Sequence, residues 1–157
     1  GRYFAGLENE IFPERTAIGL LKESSLRYGE NPHQNAAVYE DAMTTSLMTG
    51  MTQLHGKELS FNNLNDLNTA LELASEFEEP AVAVIKHATP CAAAIGSTIY
   101  EAFVRAYEAD KMSIFGGIVA MNKEMDAETA TAMDEIFLEI VAAPSYSEQA
   151  LEILKQS

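Results

Sequence analysis

The stretch AVAVIKHATPC, residues 81–91, ends five consecutive apolar residues in an adjacent lysine and histidine, then sets a proline beside the chain's single cysteine. Lys86 and His87 offer two complementary groups. An imidazole with an ordinary pKa near 6.5 exchanges protons at neutral pH, and an ammonium stabilises negative charge that develops on a reacting oxygen. Neighbouring residues of a regular strand point to opposite faces. The pair can serve one pocket only if the chain leaves strand geometry here, which Pro90 and the small residues after it favour. Positive charge is scarce around the pair: Arg27, Lys57 and Lys86 are the only Lys or Arg residues between positions 23 and 104.

The elements that must position these groups alternate in type from about residue 36 onward. NNLNDLNTALELASEF (62–77) places apolar residues at 64, 67, 71 and 74, a helical stripe with Asn62 or Asn63 as its expected N-cap. AVAVI follows as a strand buried on both faces. STIYEAFVRAYEAD (97–110) carries Ile99, Ala102, Phe103, Ala106 and Tyr107 on one helical face, with Ser97 or Thr98 placed to cap it. GGIVAMN reads as the next strand, DAETATAMDEIF as a shorter helix after Asp126, and LEIVAAP as a third strand. SYSEQALEILKQ reads as a helix opened by Ser145, with Glu148 in capping-box spacing. This alternation predicts an α/β fold of three αβα layers, in which ligands gather beyond the carboxyl ends of the strands. TAIGLLKESS (16–25) suits either a short helix or an extended segment.

The chain has 157 residues, enough for one domain, and is 47% apolar and 22% charged, the composition of a globular protein. Ten Lys and Arg against 24 Asp and Glu give a formal charge of −14, which argues against nucleic acid and anionic membranes as partners. A single cysteine excludes an internal disulfide, and no apolar run approaches the roughly 20 residues that cross a bilayer. A cytoplasmic location is the expectation. The chain starts GRYFAGLENE, without an initiator Met, and stops within a helical pattern, so it is expected to be a piece of a longer protein.

Two polar, glycine-bearing loops, LRYGENPHQ (26–34) and GKELSFNN (56–63), hold more functional groups than a connector needs. Singly, each feature has a structural explanation: Gly29 and Pro32 suit a turn, and Gly116 and Gly117 suit a bulge or close packing. Taken together, LRYGENPHQNAAVY, LHGKELSFNNLND, VIKHATPC, AYEADKMSIFGGIVAMN and FLEIVAAPSYSEQAL resemble, in order and spacing, the bifunctional purine-synthesis enzymes that combine AICAR transformylase with IMP cyclohydrolase. The resemblance covers nearly all of residues 1–157 and is to the first half of the transformylase region, a cytidine-deaminase-like subdomain, with 1–25 as a linker into it. The family usually has Asn where Thr89 stands and Gly where Ala92 stands; the Lys86-His87 pair is intact.

The resemblance implies formyl transfer from 10-formyltetrahydrofolate, a co-substrate, to the 5-amino group of AICAR. His87 would be the base and Lys86 its electrostatic partner. Arg27 and Tyr28 would bind the phosphate and base of AICAR, reaching a site on the other subunit of a homodimer. Asn63, Phe115 and Gly116 would border the nucleotide, and Glu139 would accept from ribose hydroxyls. The cyclohydrolase, a hydrolase, would belong to a separate N-terminal domain, and the second transformylase half, with much of the folate site, would also lie outside this chain. The isolated segment is expected to be inactive.

Zinc deaminases share this fold group and use H-x-E with P-C-x-x-C to hold a metal that activates water. Here Thr89 replaces the Glu and Ala94 the second Cys, so no metal site is expected. The remaining alternative is a nucleotide-binding module that keeps the fold without the reaction, against which the intact Lys86-His87 pair stands.

Overall fold

The computed structural model describes residues 20–25, 33, 37–41 and 53–156. Strands β1 (Leu20–Ser25) and β2 (Ala37–Asp41) pair antiparallel as a two-stranded sheet. TAIGLLKESS is therefore extended over its last six residues.

Helix α1 (Phe61–Ser75) begins two to three residues earlier than its asparagines suggest. Ser60 is the N-cap: its hydroxyl accepts from the Asn63 amide at 3.2 Å, and Asn63 Oδ1 accepts from the Ser60 amide at 3.1 Å. Asn63 is thus the third helical residue of a capping box, where its side chain returns the bond that the cap gives.

β3 (Ala81–Lys86) is buried from Ala81 through Ile85. Its alternate residues feed two cores. Ala83 and Ile85 pack with Leu67, Ala70 and Ala74 of α1. Val82 and Val84 join the opposite core with Ile99, Ala102, Phe103 and Ala106 of α2 (Ile99–Ala109), which Thr98 caps by accepting from the Glu101 amide. A strand covered on both faces has no need of polar alternation, which is why AVAVI is continuously apolar.

The segment after His87 is not the loop that the sequence suggests. Thr89–Ile95 form β4, an antiparallel partner of β3 at the sheet edge. Pro90 lies within that strand and does not end it. An edge position is where proline's missing N–H is tolerated. The register runs Val84↔Ala92 then Ile85↔Pro90, skipping Cys91, so the ladder is irregular at that point. Thr89 and Ala92 consequently lie on β4, opposite Lys86 and Val84.

After α2 come the one-turn helix α3 (Lys111–Ile114), capped by Asp110, and β5 (Ile118–Met121). Helix α4 (Ala127–Asp134) is capped by Asp126, which accepts from the Thr129 amide at 2.8 Å. β6 (Ile140–Ala142) follows, and helix α5 (Glu148–Gln156) closes the described chain. The cap of α5 is Ser147, whose hydroxyl accepts from the Ala150 amide at 3.1 Å, and not Ser145. Met125 exchanges backbone bonds with Ser145 and Ser147, which keeps residues 145–147 extended and delays the helix by two positions.

Sheet order is β4-β3-β5-β6, with α1 on one face and α2, α4 and α5 on the other, giving the three αβα layers. The direction of the strands departs from expectation. β3 pairs antiparallel with both neighbours, and only β5 and β6 run parallel. The carboxyl end of β3 therefore lies beside the amino ends of β5 and β6. The rule that ligands gather at carboxyl ends belongs to parallel sheets, and here it describes β3 alone.

Candidate functional site

Lys86 and His87 stand where β3 turns into β4. His87 and Ala88 both adopt left-handed backbone conformations, with φ of 52° and 62°. Two consecutive positive φ values are what a two-residue hairpin loop demands, and Asn-Gly usually supplies them. Residues with a Cβ pay roughly 1 to 3 kcal/mol each for such a conformation. The chain thus leaves strand geometry at His87 itself, three residues before Pro90, which lies within β4 and is not the cause. The Ala88 amide donates to Asp66 Oδ1 of α1 at 3.0 Å. A hydrogen bond of this kind contributes about 0.5 to 1.5 kcal/mol net, which offsets part of that strain.

Lys86 is half-buried and its Nζ donates to the Phe115 carbonyl at 2.7 Å. That carbonyl opens the Phe115-Gly116-Gly117 turn leading into β5. Gly116 has φ 73°, and its amide donates to the Phe137 carbonyl at 2.7 Å. A Cβ on Gly117 would lie 2.9 Å from the Ile114 carbonyl oxygen and 3.0 Å from Val84 Cγ1. The first glycine is required by its dihedral and the second by close approach. The Phe115 and Phe137 rings tilt against each other at 5.5 Å, yet remain 57% and 59% exposed, an apolar platform open to solvent.

The Glu139 amide donates to the Gly117 carbonyl at 3.0 Å, and Glu139 Oε2 accepts from Asn63 Nδ2 at 3.1 Å. One connected set of contacts therefore runs from Lys86 through Phe115, Gly116, Gly117 and Glu139 to Asn63. It joins the end of β3, the starts of β5 and β6, and the first turn of α1. The set offers a cation, a carboxylate and two exposed aromatic rings, the kinds of group that contact a polar ligand.

Of the expected site residues, Lys86, Asn63, Phe115, Gly116 and Glu139 belong to this set, and exposed His87 adjoins it in the turn. Arg27 and Tyr28 lie outside the described residues. Lys57 is exposed, and its carbonyl accepts from Gln53 Nε2 at 2.7 Å. Sequence reasoning passed over Asp66 and Phe137. Both stand inside the matched motifs, at the end of LHGKELSFNNLND and the start of FLEIVAAPSYSEQAL, with no role assigned to them; Asp66 also follows Asn63 by three residues and so shares its side of α1.

Cys91 is half-buried beside the pair. Burial pushes its thiol pKa up, the Lys86 ammonium pulls it down, and the charges of Asp110 and Asp66 add to the rise; the net shift is upward. Among the described residues no group of three or more His, Cys, Asp or Glu is arranged to hold a metal ion, and no helix is long and apolar enough to cross a membrane.

A family model for the AICARFT/IMPCHase bienzyme matches residues 1–157. The bifunctional purine biosynthesis protein PurH of Anoxybacillus flavithermus is 53% identical over 154 residues, 98% of this chain and 30% of that protein. Its counterpart in Listeria monocytogenes serotype 4a is 52% identical over 153 residues, again 30% of its length. That of Thermoanaerobacter sp. is 51% identical over 154 residues. The chain thus spans about 30% of the length of the curated relatives it matches.

Proposed function

The chain belongs to the AICARFT/IMPCHase bienzyme family, and we propose that it carries the catalytic pair of the transformylase, within its first half. The reaction is formyl transfer from 10-formyltetrahydrofolate to the 5-amino group of AICAR, giving FAICAR. The amine of AICAR is conjugated to a carboxamide and is a weak nucleophile. Its proton must leave as the new C–N bond forms. His87 accepts that proton, Lys86 stabilises the oxyanion of the formyl carbon, and the C–N bond to the folate breaks as its nitrogen takes up a proton. Glu139 accepts from the ribose hydroxyls, Asn63, Phe115 and the Gly116 backbone border the nucleotide, and Arg27 and Tyr28 bind phosphate and base, an Arg fork being suited to phosphate. These last two reach across a homodimer.

The observation that carries this reading is the contact set running from Lys86 to Asn63, which gathers residues from four distant parts of the sequence at the end of β3 beside His87. The test is conversion of AICAR, dependent on 10-formyltetrahydrofolate, by the full-length protein and its His87→Ala variant. The variant should lose about 10²- to 10⁴-fold in turnover, the range for a positioned general base, with a much smaller change in AICAR binding. A folded variant with near-normal turnover overturns the role of His87, and AICAR binding without turnover by the parent protein supports a non-catalytic module. The 157-residue chain alone should bind AICAR weakly and not turn it over.

A further inference from the structure

The hairpin that carries His87 is held from outside itself. Its ladder closes with Lys86 opposite Thr89, which leaves the Ala88 amide inside the turn with no ladder partner. Asp66, 22 residues earlier on α1, accepts that amide. Histidine enters the left-handed region more readily than most side-chain-bearing residues, but alanine does not, so Ala88, at φ 62°, is the residue of the turn that needs this bond to hold its shape. Helix α1 also presents Asn63 to Glu139, one turn away from Asp66.

We propose that Asp66 is a positioning residue for the formyl transfer: by accepting the Ala88 amide it fixes the left-handed backbone from which the His87 imidazole leaves the chain. This rests on the reading of His87 as the base. The carboxylate acts as a hydrogen-bond acceptor on backbone, so its effect passes through the geometry of the turn and not through its charge. A misplaced base costs rate before it costs substrate affinity.

The experiment measures kcat and KM for AICAR, with a melting curve for each variant, in the full-length protein. Asp66→Ala should lower kcat about 10- to 100-fold, with KM within about threefold. Asp66→Asn, which keeps an acceptor oxygen, should retain most of kcat. Ala88→Gly in the Asp66→Ala background should recover most of the loss, because glycine enters the left-handed region freely. Asp66→Leu, which also lacks an acceptor and is of similar size, serves the same comparison if the alanine variant unfolds. Wild-type kcat in Asp66→Ala, equal losses in the Asn and Ala variants, or no recovery with glycine would each overturn the proposal. His87→Ala separates the two ideas: an active His87→Ala removes the base assignment, whereas an inactive one beside a normal Asp66→Ala removes only the role of Asp66.

Discussion

Lys86 Nζ donates to the Phe115 carbonyl across 2.7 Å, tying the end of β3 to the turn that enters β5, 29 residues later. The antiparallel pairing of these strands makes the bond possible, since it brings the end of one to the start of the other. The ammonium is thereby held at the site by a backbone atom of the glycine turn.

Lys86→Ala should lower formyl transfer on the order of 10²-fold or more, as for loss of one group that stabilises the transition state. Lys86→Arg should not restore it fully, because a planar fork cannot reproduce a compact ammonium seated on one carbonyl. Steady-state kinetics on the full-length variants, with circular dichroism melting curves, checks both. A fully active arginine variant would mean that any cation suffices.

The two glycines of the turn should differ in cost. Gly117→Ala drives a Cβ against a backbone oxygen at 2.9 Å, which cannot easily move, and should destabilise by about 3 kcal/mol. Gly116→Ala meets only the Phe137 ring at 3.8 Å, so its loss comes from the positive φ and should be about 1 to 2 kcal/mol. Denaturant unfolding of each variant tests the ranking, and the reverse order would contradict the packing.

Cys91 should react slowly with a disulfide reagent at neutral pH, because burial holds its pKa up and the thiolate is the nucleophile. Lys86→Ala removes the ammonium that lowers this pKa, so the thiolate fraction falls and the reaction slows further. Rates followed from pH 7 to 10 should show the variant's profile displaced to higher pH. A faster reaction in the variant would show that access, and not charge, controls the thiol.

Tyr146 anchors β6 to the approach to α5: its hydroxyl donates to the Val141 carbonyl at 2.9 Å and accepts from the Ala143 amide at 3.1 Å. Desolvation raises its pKa, partly opposed by the Ala143 amide. A raised folded pKa means that the contribution is complete below the ordinary value of about 10 and is lost as pH rises through the folded value. Tyr146→Phe should therefore lower stability at pH 8 by roughly 1 to 3 kcal/mol, and the gap to wild type should narrow above pH 10. Melting curves across that range decide it.

Metal analysis of the purified protein should find zinc well below one equivalent, since Cys91 has no second thiol at the required spacing. One equivalent that survives a chelator would revive a deaminase-like chemistry.

Much of the framework was legible in local pattern. AVAVI had to be a strand covered on both faces, because five successive apolar residues leave no face for water. The Ile99, Ala102, Phe103 and Ala106 stripe had to pack on one side of a helix. Other local signals misled within a turn: Ser60 and Ser147 took the caps expected at Asn62 or Asn63 and at Ser145, since a cap is chosen by where the preceding chain stays extended. β4 escaped notice because TPCAAAI has little of the β-branched and aromatic character of a strand and no Asn-Gly to announce the hairpin.

The residue types of the site, a Lys-His pair, a glycine pair, an asparagine and a glutamate, were fixed by the sequence itself, and so was the family resemblance that named their roles. Their meeting was not. Asn63 reaches Glu139 across 76 positions and Asp66 reaches Ala88 across 22, separations over which no periodicity carries information. Strand direction decided which ends came together: an antiparallel β3 brings Lys86 to Phe115, whereas a parallel one would have placed them at opposite ends of the paired strands. Only the packed sheet and α1 make that choice, because it depends on which faces can be buried at once.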